Sequence, residues 1–477
     1  MNTRQVLIMS KLEWFGAGIL LILLGTLMAP LSGQPLRMGM AAVKITPDVG
    51  VPMAGYYHER GAEGTLDDLF AKAVVFDDGA SRAALVTLDL ISVTKEVTTA
   101  ARSRVEELTG IQANGLMICA THAHTGPELA SRGSRSQPIG GSNPKVVRYT
   151  EQLPGLIAQA VEDAVANLQS VQIEVAQGVC EGLTFNRRFF MRDGTVGWNP
   201  GKLNPEINLE AGKTDPAVGI LVAYKSTEKD PSNILSTLVN FAMHPDTVGG
   251  ARYSADWPGA LARILSSYHG SGHHTQVTNG TSGNLNHLDV RWAMAQKGTE
   301  EAHRIGVLLG AEVLRAYKDL QPVAARQLRT ASRSVLLPIP EVSEAEVEQA
   351  RRDVATATDQ NRVDFMRLVK GHQLLDVAAR EGRPIEVEVQ VITLGNEIAW
   401  VALPGEVFVE LGLAIKLRSP FRYTFPVSLA NENIGYIPDR RSYAEGNYEP
   451  VSARCAAGSG ELLVDAAVDL LAELAEQ

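Results

Sequence analysis

Cysteine is scarce, with only Cys119, Cys180 and Cys455 in a chain of 477 residues. Three thiols form one bridge at most, so neither a disulfide framework nor a cysteine-based zinc site organises this protein. A chain of this length buries enough surface to fold without such a staple. Positive charge is also in deficit: 44 Lys and Arg stand against 54 Asp and Glu, a formal net charge of −10. That balance argues against nucleic acid as a partner, because phosphate backbones are bound by clustered cations. Beyond residue 28 no apolar run approaches the roughly 20 residues that span a bilayer. Several catalytic signatures are missing too: no His-Glu-x-x-His, no Gly-x-Ser-x-Gly around a serine, and no glycine-rich phosphate loop. Wholesale disorder is excluded, since apolar residues make up 45% of the chain and charged residues 21%.

What is present begins with a leader-like segment. Arg4 and Lys11 precede Trp14–Met28, which carries no charge, and Pro30, Ser32 and Gly33 come next. Basic, then short and apolar, then small is the order of a secretory signal, so residues 1–34 read as a signal peptide or an N-terminal anchor. The body from about residue 36 is then expected outside the cytoplasmic membrane: secreted, periplasmic or anchored, with this segment as its contact with a membrane surface. That body reads as one large mixed α/β domain of layered sheets flanked by helices. Strand patterns at 83–93, 115–120, 171–176, 218–224 and 234–243 alternate with helical spacing at 96–108, 146–168, 257–268 and 300–320. A polar turn is expected at 228–233. The charged segment 343–382 is helix-forming, as a cover over the site or a surface insertion. Gly395–Asn396 between two apolar runs reads as a two-residue hairpin turn, and an acidic amphipathic helix closes the chain at 459–475.

The histidines carry the chemistry. His122 and His124 lie in CATHAHTGP, directly after a predicted strand. In an extended segment residues i and i+2 share a face, so both imidazoles can converge on one ligand, and neutral imidazole is a good zinc donor. His244 ends the apolar run LVNFAMHP, where a strand leaves the core. Glu406 follows Pro404–Gly405, where a strand breaks and a helix begins.

Together these segments resemble the catalytic domain of neutral (non-lysosomal) ceramidases, which are secreted zinc amidases. The resemblance runs in chain order through ITPDVGVPMAGY (45–56), the strand 82–91, THAHTGP (121–127), Asn186–Arg187, NFAMHP (240–245), VALPGE (401–406) and a tyrosine-rich segment, NENIGYIPDRRSYAEGNYEPVS (431–452). It implies zinc held by His122, His244, Glu406 and Tyr448, with an amide in a lipid-like N-acyl substrate cleaved by zinc-bound hydroxide. It implies that His124 stabilises the oxyanion and that Arg187 lies beside the substrate. Tyr436 and Tyr443 line the same segment, and either can donate a hydrogen bond.

Two departures bear on the substrate. The family's site serine lies in a Ser-Pro-Asn stretch; in Thr278–Asp289 (TNGTSGNLNHLD) its place falls on Asn286, with Ser282 four residues earlier. Asparagine is no hydroxyl nucleophile, though its amide can donate to an oxyanion, and neighbouring His287 can add a donor. The family's immunoglobulin-like C-terminal domain is not expected after the tyrosine segment. An ester, lactone or carbohydrate-derived substrate, or a binding protein without catalysis, is therefore the alternative. The sequon Asn279–Gly280–Thr281 sits inside the site loop and reads as a chance match.

Overall fold

The computed structural model describes residues 35–225, 233–323, 327–357 and 361–477. The expected leader and most of the expected turn at 228–233 lie outside the described residues. Three main sheets organise the chain. The first contains β1 (Arg37–Lys44), β2 (Phe70–Asp77), β3 (Arg82–Leu88) and β4 (Leu116–Ala120), in the order β4-β3-β2-β1, with the short strand Gln169–Ser170 beyond β1. The second contains β5 (Gln172–Val179), β6 (Ala217–Tyr224), β7 (Ile234–Phe241) and β8 (His274–Asn279), in the order β8-β7-β6-β5, with Gln321–Pro322 beyond β5. The third contains β9 (Leu328–Leu337), β10 (Ile385–Leu394), β11 (Ile398–Ala402) and β12 (Tyr423–Val427), in the order β9-β10-β11-β12.

Each of these sheets is antiparallel except for its last pair. β3 and β4, β7 and β8, and β11 and β12 are parallel. Parallel neighbours need a crossover, and here each crossover holds one helix: α1 (Lys95–Thr109), α3 (Asp256–His269) or α7 (Val409–Arg418). The remaining long helices are α2 (Pro144–Ala166), α4 (Thr299–Ala316), α5 (Glu344–Thr356), α6 (Arg362–Ala378) and α8 (Ser459–Ala475). The strands of the parallel pairs are covered on both faces, which is why they read as near-continuous apolar runs such as LMICA and ILSTLVNF.

One face of every sheet meets the others in a shared core, where Phe76, Leu85 and Met117 pack with Leu221, Leu238, Trp400 and Phe425. The opposite faces are covered by helices: α1 and α2 on the first sheet, α3 and α4 on the second, α7 and α8 on the third. Residues 34–477 form one unit, so the expected single α/β domain is what the chain builds. Among the described residues no helix is long and apolar enough to cross a membrane.

Two expectations change in detail. The turn between β10 and β11 spans three residues, 395–397, because Leu394 pairs directly with Ile398. Segment 343–382 is a helical hairpin, α5 and α6, opened by a Ser343–Glu346 capping box.

Candidate metal centre

Open α/β sheets place ligands beyond the carboxyl ends of their parallel strands, and this chain does so three times. His122 comes two residues after β4, His244 three after β7, and Glu406 four after β11. Each of the three parallel units thus delivers one chemical group to a common point. His122 and His124 converge by a turn rather than by strand alternation: His122 is left-handed, with φ of 76°, and its N–H donates to Leu90 O. A non-glycine residue in that region is strained. Gly55 seats His124, because a Cβ there would lie 3.0 Å from His124 Nδ1, and its φ of 98° suits glycine.

The imidazoles are oriented by their outer nitrogens. His122 Nδ1 lies 2.7 Å from Ile91 O, and His244 Nδ1 lies 2.9 Å from Ser282 O. A carbonyl only accepts, so each Nδ1 bears the proton and each Nε2 presents a lone pair. His124 Nδ1 stands 3.6 Å from Asp246 Oδ1, which favours the same tautomer. The inner atoms then gather. His124 Nε2 is 3.2 Å from His122 Nε2, and Glu406 Oε2 is 3.3 Å from both His122 Nε2 and His244 Nε2. Glu406 Oε2 is buried without a hydrogen-bond donor. Among the described residues the donor reaching this set is Arg187 Nη1, 3.3 Å from His244 Nε2.

Such a collection of buried acceptors calls for a cation at its centre. Donors about 2.0–2.1 Å from a tetrahedral zinc lie roughly 3.3 Å from one another, and the three inner contacts above have that spacing. His122, His124 and His244 can thus hold a metal ion, and Glu406 fits the same polyhedron. Burial, aided by Arg187 and His122, drops the His244 imidazole to about 3. Burial, then His122, pushes His124 well below its usual range. Burial works against charge on Glu406, but His122 and His244 outweigh it and hold the carboxyl well below the carboxylate range. His124 and His244 are thus held towards the neutral form and Glu406 towards the anion, the protonation that metal binding requires of such ligands.

Arg187 is not a surface ion pair. It is buried, donating to Glu449 Oε1 at 2.8 Å, Gly283 O at 2.7 Å and Tyr436 Oη at 3.1 Å. Glu449, fully buried, also takes Arg188 at 3.0 Å. Tyr436 pairs in register with Glu406, and burial followed by the Glu406 charge raises its phenol well above the usual value. Tyr448 is stacked on Trp198 at 4.2 Å and edge-on to Tyr436 at 5.5 Å, and its phenol too is raised by burial and the Glu406 charge among others. The phenol hydrogen-bonded into the cluster is thus Tyr436. Tyr443 points elsewhere, donating to Cys455 O.

Asn286, the position that falls on the family's site serine, is held by its own loop. Its amide donates to Asn199 Oδ1 at 2.9 Å and its carbonyl accepts from Leu288 N at 3.0 Å, and among the described residues no hydrogen bond joins it to the histidines. Ser282 and Gly283 take that place, their carbonyls bound to His244 and Arg187. His287 faces Gln296 O through Nε2 at 2.8 Å. Asn279 is buried, its amide on Thr121 O, so the sequon is closed to glycosylation.

No protein-family model and no curated protein matches the sequence. Solved structures do match. The neutral ceramidase from Pseudomonas aeruginosa superposes with a TM-score of 0.72 over 93% of this chain and 75% of that one, at 19% identity. A ceramidase complexed with C2 matches with the same score, coverage and identity. The chain is therefore built on the neutral ceramidase fold, with its histidines and Glu406 gathered where three parallel strand pairs end.

Proposed function

We propose that this protein is a zinc-dependent hydrolase that cleaves an amide bond in an N-acyl, lipid-like substrate. The observation that carries the reading is the gathering of His122, His244 and Glu406, with Glu406 Oε2 3.3 Å from both inner imidazole nitrogens and without a hydrogen-bond donor, beside His124. His122 and His244, each 2% exposed, and Glu406 are assigned as ligands. A phenol of the tyrosine segment completes the set, Tyr448 by sequence, with Tyr436 nearer the cluster. Zinc in such a site supplies Lewis acidity and acidifies a bound water towards neutral pH.

The chain's own residues do the rest. His124, 16% exposed at its side chain, is the imidazole on the open side, so it meets the scissile carbonyl and stabilises its developing charge. Arg187 holds the Ser282–Gly283 turn and the Tyr436 phenol in place. Asn286 fixes the Asn199 loop beside the opening. Action outside the cytoplasmic membrane is inferred from the leader-like residues 1–34.

The test is metal analysis of purified protein combined with a hydrolysis screen over N-acyl sphingoid bases, other N-acyl lipids, simple esters and lactones. Stoichiometric zinc with amide turnover is expected. Turnover confined to esters or lactones would replace the amide assignment, and metal-free protein inert on every substrate would make it a binding relative.

A further inference from the structure

Arg135 is a cation of the aromatic surface that leads to Tyr448, with no carboxylate in direct contact. Its guanidinium lies over the Tyr57 ring, 4.7 Å from the centroid. Among the described residues no carboxylate oxygen comes within 4.0 Å of it, and it donates to no backbone carbonyl. The other arginines around the site are satisfied: Arg187 by Glu449 and Gly283, Arg188 by Glu445 and Glu449, Arg60 by carbonyls including His124 O, Arg454 by Asp376. The acid nearest in effect is Glu128, whose carboxyl is held up at about 7 by burial even against the Arg135 charge. Burial works against the Arg135 charge, but Tyr57, which also hydrogen-bonds it, Tyr448 and Glu128 together sustain it, so the guanidinium stays a cation with no carboxylate in direct contact.

Its position is built rather than incidental. Ser134, the preceding residue, donates its N–H to Asp376 Oδ1 at 2.7 Å and shares a 2.9 Å hydrogen bond with His372 Nδ1. Both partners belong to α6, and Asp376 is itself clamped by Arg454 at 2.6 and 2.8 Å. The same helix sends Phe365 against Tyr57 at 5.2 Å, Tyr448 at 5.7 Å and Trp198 at 6.1 Å. These rings are all partly exposed. They form an aromatic wall that runs from Arg135, past Tyr448, to Tyr436 and the metal cluster.

We propose that α6 and the loop it pins form a specificity site for amides carrying an anionic group, foremost a carboxylate, which pairs with Arg135 while the acyl chain lies on the Tyr57–Phe365–Trp198 wall. This rests on the amide hydrolase reading and narrows it to the class of N-acyl amino acids. Arginine is the side chain suited to this task, because its planar fork meets a carboxylate through two parallel hydrogen bonds.

The experiment compares kcat/KM for N-dodecanoylglycine and for neutral N-dodecanoylethanolamine, with calorimetric binding of dodecanoate and dodecanol as a second readout. Wild type should favour the glycine conjugate roughly 10- to 100-fold, mostly in KM, the range of one charge-assisted pair. Arg135→Gln should bring the ratio close to one and abolish the preference for dodecanoate over dodecanol. Arg135→Lys should restore part of both, as it keeps charge without the fork. A wild-type ratio near one, or a ratio unchanged in Arg135→Gln, overturns the proposal while leaving the hydrolase standing. If neither amide is cleaved, the hydrolase reading fails, and the binding readout decides: selective loss of dodecanoate in Arg135→Gln supports the anion site, and equal affinities refute it.

Discussion

Glu449→Gln probes how the metal cluster is supported. The carboxylate is fully buried between two guanidiniums, Arg187 at 2.8 Å and Arg188 at 3.0 Å. Removing one partner of a buried pair costs about 3–5 kcal/mol, because the charge left behind has neither water nor counter-ion. Glutamine keeps the shape and one acceptor, and Arg188 retains Glu445 at 3.2 Å and Gly446 O at 3.0 Å. The expected loss is therefore about 2–4 kcal/mol. Arg187 has no second carboxylate within 4.0 Å among the described residues, but it already feels Glu406. Released from Glu449, it competes with the metal for that carboxylate, and metal affinity should fall at least about 10-fold, as for other changes to residues that support ligands. Urea unfolding at unchanged m-value reads the first effect, and competition with a chromophoric chelator reads the second. A stability loss under about 1 kcal/mol together with undiminished metal affinity would refute the reasoning.

The same geometry sets further outcomes. His122→Ala and His244→Ala should each purify without stoichiometric metal, and full occupancy by elemental analysis in both would sink the site; His124→Ala should keep the metal and lose roughly 10²–10³ in rate as an oxyanion donor disappears. Ser282→Ala removes only the Oγ hydrogen bond to Asn279 Oδ1 and keeps the carbonyl that orients His244, so metal occupancy by elemental analysis should match wild type, and metal loss in this variant would contradict the assignment. Metal-free protein should be acid-labile: folded His244 gains a proton only near 3, the unfolded chain near 6.5, so between these values the unfolded state binds more protons and stability falls as pH drops. A melting temperature that stays flat from pH 7 to pH 4 contradicts this.

Much of the architecture is legible in the sequence because burial leaves a pattern. LMICA is wholly apolar and ILSTLVNF largely so, as parallel strands covered on both faces tend to be, and the polar residues after them mark where the chain leaves the core. His122, His244 and Glu406 are visible for that reason. What escapes are contacts set by tertiary register. Arg187 and Glu449 are 262 positions apart, and no local pattern announces that the carboxylate belongs to that guanidinium. Tyr436 and Tyr448 both sit in one tyrosine-rich segment, and only the pairing of Tyr436 with Glu406 separates their surroundings. The turn at His122 is hidden because a positive φ at a histidine leaves no mark in composition. The Ser282 carbonyl on His244 is hidden because a backbone contact 38 positions along the chain leaves no mark in the side-chain pattern.

The delivery of one ligand by each of three sheets has a consequence for biogenesis. The donors are spread over most of the chain, so no early fragment contains a usable coordination set, and a nascent polypeptide halted before Glu406 holds imidazoles without the carboxylate that completes them. Contacts between such distant segments form late. Capture of an ion at this site would thereby be tied to the last stage of folding and would report that all three sheets have docked. Held there, the ion would act as a rivet among them: opening any one sheet would release it, and the rate of its loss to a strong chelator would clock the slowest opening of the core.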